Sequence, residues 1–148
     1  MIETIATAPT TLVVRHTINA PQQRVYAAWT TPDIMKTFIA PEGVGMGAVT
    51  TDLRVGGAYS IEMLQPDGSW FVRGTYTELH PYDRIAFTWA WDEDDLADVL
   101  ETHVALDLIA HGEQTELVLT HTNLRDEASR DSHAQGWSSI IDNLEKTL

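Results

Sequence analysis

The side chain that the sequence places best for chemistry is His121. Alternation along 114–123 puts it on one face with Leu117 and Leu119, near the end of a strand. There an imidazole with an ordinary pKa of about 6.5 could hydrogen-bond a ligand or move a proton. Glu62 and Glu78 are the carboxylates that could assist it, although alternation leaves the facing of both open. Against this stands the commoner fate of a histidine on an apolar face, which is to be bonded inside a core. His103, between Thr102 and Val104, falls on the opposite face, while His16, His80, His111 and His133 stand at element ends or on a helix surface. No two histidines have the short spacing of a metal site, and there is no cysteine. Thiolate ligands, disulfides and cysteine nucleophiles are thereby removed together, and neither a metal nor a cofactor is expected.

Other polar groups point to structure. Asp52 and Arg54 are two apart beside Gly56-Gly57, so both point the same way and are expected to pair and fix that corner. Serines 60, 69, 129, 132, 138 and 139 occupy no nucleophile elbow. Gly43-Val44-Gly45-Met46-Gly47 has neither the spacing nor the following helix and lysine of a phosphate cradle, and reads as a flexible rim loop. The run Asp92-Glu93-Asp94-Asp95 lacks the spaced ligands of a calcium loop and reads as a solvated connection.

The elements that must position these groups follow from periodicity. Trp137, Ile140, Ile141, Leu144 and Leu148 form one apolar stripe in 126–148, a long amphipathic helix whose apolar side requires a sheet. Gly136 within it costs about 1 kcal/mol against alanine, which suggests close approach of the helix backbone to a partner. Upstream, 11–18 reads as a strand, Pro21 opens a short helix bearing Val25, Ala28 and Trp29, and Pro32 opens a further turn bearing Ile34, Met35 and Phe38. Strands are then expected over 48–53, 58–64, 70–79, 84–91, 99–110 and 114–123, separated by Gly56-Gly57, Pro66-Asp67-Gly68, Pro81-Tyr82-Asp83, the acidic loop and His111-Gly112-Glu113. Seven strands, two short helices and one long one make an α+β domain of antiparallel sheet with helices on one face. Residues 1–10 are left as a loose N-terminal segment.

Period two places Tyr59, Ile61 and Met63 on one face, with Phe87, Trp89 and Trp91 on a second strand and Trp70, Val72, Gly74 and Tyr76 on a third, a bulge near Gly74 being able to flip half of it. With Trp137 they offer a concave surface suited to an apolar or aromatic ligand. Plain core is the alternative for any one of them.

Composition narrows the partners. At 148 residues the chain can bury about 70% of its unfolded surface as one domain. A net charge of −13 with nine scattered basic residues excludes nucleic acid and anionic membrane surfaces as partners. The opening MIETIATAPT has no basic residue before Arg15 and no apolar core of a signal peptide, and a cytoplasmic location is expected.

Seven pieces in order carry a family resemblance: Thr17-Ile18-Asn19-Ala20-Pro21 with Val25, Ala28 and Trp29; Thr31-Pro32; Asp52-Leu53-Arg54-Val55-Gly56-Gly57; Pro66-Asp67-Gly68; Gly74-Thr75-Tyr76; Pro81 with Arg84; and Gly136-Trp137. In these the sequence resembles the START-like (SRPBCC) superfamily, and within it the domain named after the activator of the heat-shock-protein-90 ATPase. Phe38 departs from the pattern, standing where relatives often have tryptophan in the pocket wall. The resemblance implies a helix-grip fold, a curved seven-stranded sheet around the last helix with a cavity between them. It also implies a homodimer and a chaperone as partners. The cavity expected on these grounds is lined by Phe38, Tyr59, Ile61, Met63, Tyr76, Phe87, Trp89, Trp91, His121 and Trp137. Three functions follow: a non-catalytic module holding a hydrophobic or aromatic small molecule or a lipid-like ligand, a chaperone co-activator linked to the stress response, and, ranked last, a cyclase or hydrolase using His121.

Overall fold

The computed structural model describes residues 2–41, 43–93 and 96–148. Its elements are β1 (Glu3–Ala8), β2 (Thr11–Ile18), α1 (Gln22–Thr30), α2 (Pro32–Met35), β3 (Gly45–Thr51), β4 (Ala58–Gln65), β5 (Gly68–His80), β6 (Arg84–Trp91), β7 (Thr102–His111), β8 (Gln114–Thr122) and α3 (Glu127–Thr147). The strands form an antiparallel sheet in the order β1-β2-β8-β7-β6-β5-β4-β3, so α1 and α2 carry the chain from β2 across to the far edge. This is the expected α+β helix-grip architecture, with eight strands among the described residues in place of seven.

The extra strand comes from the segment expected to be loose. Glu3 pairs with Arg15 and Ala8 with Thr11, adding β1 outside β2. Its sequence, ETIATA, carries a weak apolar signal because its stabilisation comes from the backbone bonds of a neighbour. β3 likewise begins at Gly45, not at 48, and ends at Thr51. Gly45 and Met46 pair with Leu64 and Met63, so half of the glycine-rich run lies in the sheet and not in a rim loop. β7 begins at Thr102, later than expected, which leaves Leu100 outside the strand. The bulge of β5 lies between Tyr76 and Glu78 and not at Gly74.

Within the paired strands, alternation held. Tyr59, Ile61 and Met63 are buried, as are Leu117, Leu119 and His121. Of these, His121 bonds Trp137 of α3, a helix whose Trp137, Ile140, Ile141 and Leu144 are buried, with Leu148 partly so. Each such side chain contributes roughly 1.5–3 kcal/mol when withdrawn from water. Asp126 caps the helix by accepting from the Ser129 amide at 2.8 Å, with Glu127 in the first turn and Lys146 in the last, as the helix dipole favours. Three polar ties complement the stripe. The guanidinium of Arg130 donates to the Ala8 carbonyl at 3.1 Å, Asn143 donates to the Ala40 carbonyl at 3.0 Å, and Glu145 bonds His16 of β2. His16, expected at an element end, is therefore buried under the helix. Among the described residues no helix is long and apolar enough to cross a membrane.

Candidate functional site

Between α3 and the ends of β4, β5 and β6 the sheet and helix do not close, leaving a hollow of about 560 Å³. The register builds its walls. Met63 pairs with Trp70 across β4 and β5, Val72 pairs with Trp91 across β5 and β6, and Trp89 follows two residues back along β6. Consecutive rings stand nearly perpendicular: Trp70 and Trp91 at 6.4 Å and 84°, Trp91 and Trp89 at 5.7 Å and 89°. Trp137 closes the helix side against Trp89 at 4.8 Å. Gly136, Ile140, Ser132 and His133 complete that side, Pro41 and Val44 flank it, and Gln65, Asp92 and Glu93 form polar edges. Among the described residues, the charged groups of the lining are thus two carboxylates, with no lysine or arginine. Asp92 accepts from the Nε of Arg73 at 2.8 Å, whereas Glu93 forms no ion pair among the described residues. Asp94 and Asp95, expected to extend this solvated run, lie outside the described residues.

Of the residues expected to line a cavity, Met63, Trp89, Trp91 and Trp137 do so. Tyr59, Ile61, Tyr76 and Phe87 share their face but pack solidly with Trp29, leaving a void of about 10 Å³. Phe38 packs edge-on against Trp29 at 5.0 Å, in the same closed region. Alternation assigns a residue to a face and says nothing of its depth along the strand, so it could not separate these two groups. The buried indole N–H groups of Trp29 and Trp89 find no acceptor among the described residues.

His121 lies behind the hollow, fully buried, with both ring nitrogens engaged. Nδ1 accepts from the indole N–H of Trp137 at 3.0 Å, which places the proton on Nε2. That Nε2–H donates to Thr102 Oγ1 at 2.7 Å, and the Thr102 hydroxyl donates to the Trp89 carbonyl, also at 2.7 Å. Burial, then the neighbouring His133 and His103, depress its pKa to about 3. A neutral imidazole with no free lone pair orients Trp137 and Trp89 and has nothing to offer a substrate. Glu62 and Glu78 do not assist it. Glu62, between buried Ile61 and Met63, faces outward and accepts from the Ala48 amide at 3.1 Å, and Glu78 pairs with Arg84 at 3.1 Å. Asp52 and Arg54 form the expected ion pair at 2.8 Å, in the bend after β3.

Sequence reasoning missed His133. Its Nδ1–H donates to the Ser129 carbonyl at 2.7 Å, its Nε2 accepts from Trp91 at 3.2 Å, and its ring meets His121 edge-on at 4.9 Å. Burial lowers its pKa, so it stands neutral in the wall. Its position four residues before Trp137 on a helix was the available signal. Gly136 has a different meaning from the one expected. Among the described residues a Cβ there would touch only the Pro41 side chain, at an ordinary 3.9 Å, so the glycine widens the hollow and is not required by close backbone approach.

The model for the family described as "Activator of Hsp90 ATPase homolog 1-like protein" matches residues 19–148. Solved structures with the same fold include a protein from Rhodobacter sphaeroides (22% identity, TM-score 0.84, covering 99% of this chain and 96% of that one). The AHSA1 protein from Silicibacter pomeroyi is 26% identical with TM-score 0.81 over 92% and 95% of the two chains, and a protein from Chromobacterium violaceum is 26% identical with TM-score 0.83 over 93% and 96%. No curated protein matches. By fold and by a family match that runs from Asn19 to the last residue of α3's flank, Leu148, this chain belongs to the Activator of Hsp90 ATPase homolog 1-like family of START-like domains.

Proposed function

We propose that the chain is a binding module that holds a hydrophobic or aromatic small molecule between its sheet and α3, without catalysing a reaction. The observation that carries this reading is a hollow of about 560 Å³ walled by four tryptophans in a protein whose neighbouring aromatic cluster is fully packed. Such a volume suits a drug-sized molecule, and water gains little from apolar walls. The neutral, doubly bonded His121 supports binding over catalysis, since it fixes the rings and leaves no group poised to react. The test uses 1-N-phenylnaphthylamine. It should raise the melting temperature with concentration and change the tryptophan emission, and Gly136→Phe, which fills the hollow, should abolish both. A melting temperature indifferent to the probe at saturating concentration would remove the proposal.

The family's description supports a second reading, stimulation of a chaperone ATPase by an outer surface. Leu53 and Val55, 46% and 62% exposed beside the β3–β4 corner, are apolar groups available for it. Adding the chain to an Hsp90-type ATPase should then raise turnover, and Leu53→Asp should cancel the effect while sparing probe binding. An unchanged rate at excess chain would remove this second reading.

A further inference from the structure

We infer that the molecule held in the hollow carries a positive charge, a protonated or quaternary amine seated against the tryptophan walls with its charge toward Glu93. The inference rests on the binding role proposed above and adds the chemical class of the ligand. Several observations converge on it. Trp70, Trp91 and Trp89 stand at 84° and 89° in succession, so indole rings bound the space from more than one direction. Tryptophan has the strongest ring quadrupole among side chains for a cation, and several such walls together stabilise an ammonium group that has left water. Among the described residues the charged groups of the lining are Asp92 and Glu93, and of these Asp92 already shares its charge with Arg73 while Glu93 forms no ion pair. Arg125, which borders the smaller annex beside Glu93, is held by donating to the Asp98 carbonyl at 2.9 Å. His133 brings no opposing charge, because one nitrogen donates to Ser129 and the other accepts from Trp91. The net charge of −13 adds a field that concentrates cations and repels anions at the mouth.

The experiment compares three probes of one shape: benzyltrimethylammonium, its neutral isostere neopentylbenzene, and the anion benzylsulfonate. Affinity is measured by calorimetry and tryptophan emission. The cation should bind about tenfold or more tighter than neopentylbenzene, the sulfonate should bind weakest, and the ratio of cation to neutral should shrink as salt is raised. Glu93→Gln and Trp70→Ala, both at exposed positions, should each reduce that ratio severalfold. If neopentylbenzene binds as tightly as the cation, or the sulfonate binds best, the charge inference is overturned while the apolar cavity stands. A cation preference untouched by either substitution overturns the assignment to Glu93 and the tryptophan walls. If none of the three binds and 1-N-phenylnaphthylamine also fails, both this inference and the binding role fall.

Discussion

Trp89 stands between two aromatic regions built from the same residue types with opposite results. Toward α1 and α2, Tyr59, Tyr76 and Phe87 close against Trp29 and leave a void of about 10 Å³. Toward the turn into β5 and the exit of β6, Trp70, Trp91 and Trp137 surround about 560 Å³. The number of rings does not decide whether space is filled, because the difference lies in what covers them. The closed region is covered by Trp29, Met35, Phe38 and Ile39, large apolar side chains projected from α1, α2 and the turn after it. The hollow is covered by the first half of α3, which presents Ser132, His133 and Gly136 there before its apolar stripe begins in earnest at Trp137.

If the closed region is structural and the hollow is kept for a ligand, truncations in the two should differ most. Phe87 is 7% exposed and touches Tyr59, Tyr76 and Trp89 at centroid distances of 5.4, 6.4 and 6.3 Å. Phe87→Ala should cost about 3–5 kcal/mol in urea denaturation, through lost burial and an unfilled cavity. Trp70 is 50% exposed, and Trp70→Ala should cost less than about 1 kcal/mol. Equal losses would mean that both regions are committed to stability, and the contrast would be gone.

The polar chain that joins the regions gives the next largest effect. His121 titrates at about 3 in the folded protein, depressed by burial from an unfolded value near 6.5, so the unfolded chain binds its proton first. Stability from this group is therefore fully present above pH 6.5 and is lost as pH falls from there toward 3. Two pH units below 6.5 the loss is on the order of 3 kcal/mol. His133, also lowered by burial, adds in the same direction, while the lowered Glu62, Glu78 and Glu116 act in a more acidic range. The readout is thus the difference between the chain and His121→Gln, which should flatten the profile between pH 6.5 and 4.5. An unaltered slope would show that His121 is not kept neutral by its burial beside His133.

What was legible in the sequence follows the same division. Strong periods gave the long helix, its stripe from Trp137 to Leu144 and the inward faces of β4, β6 and β8, because there one residue's facing fixes the next. β1 was not legible, since backbone pairing to β2 stabilises a segment with little apolar pattern of its own. Nor was the line between core and cavity. Phe87 and Trp91 share one face of β6, and only their position along the strand, relative to where α2 ends and α3 begins, makes one filler and the other wall. His121 was found as an inward histidine, but its role depended on Thr102 and Trp137, neighbours 19 and 16 residues away that no local pattern links to it.

Two glycines sharpen the comparison at the smallest scale, one in each region. In the closed region a Cβ at Gly74 would lie 2.0 Å from the Thr88 carbonyl oxygen and 2.7 Å from the Tyr59 ring, with no direction in which to yield because Tyr59 itself donates to that carbonyl. Gly74→Ala should therefore destabilise by about 1–3 kcal/mol, as overpacking does. At Gly136 the added methyl meets, among the described residues, only Pro41 at 3.9 Å, and alanine restores the helix propensity that glycine lacks. Gly136→Ala should stabilise by about 1 kcal/mol while narrowing the hollow, so that 1-N-phenylnaphthylamine binds more weakly to the more stable protein. Such opposed movement of stability and affinity would separate a glycine kept for a ligand from one kept for packing. A loss of stability at both positions would mean that the hollow is as tightly specified as the aromatic cluster beside it.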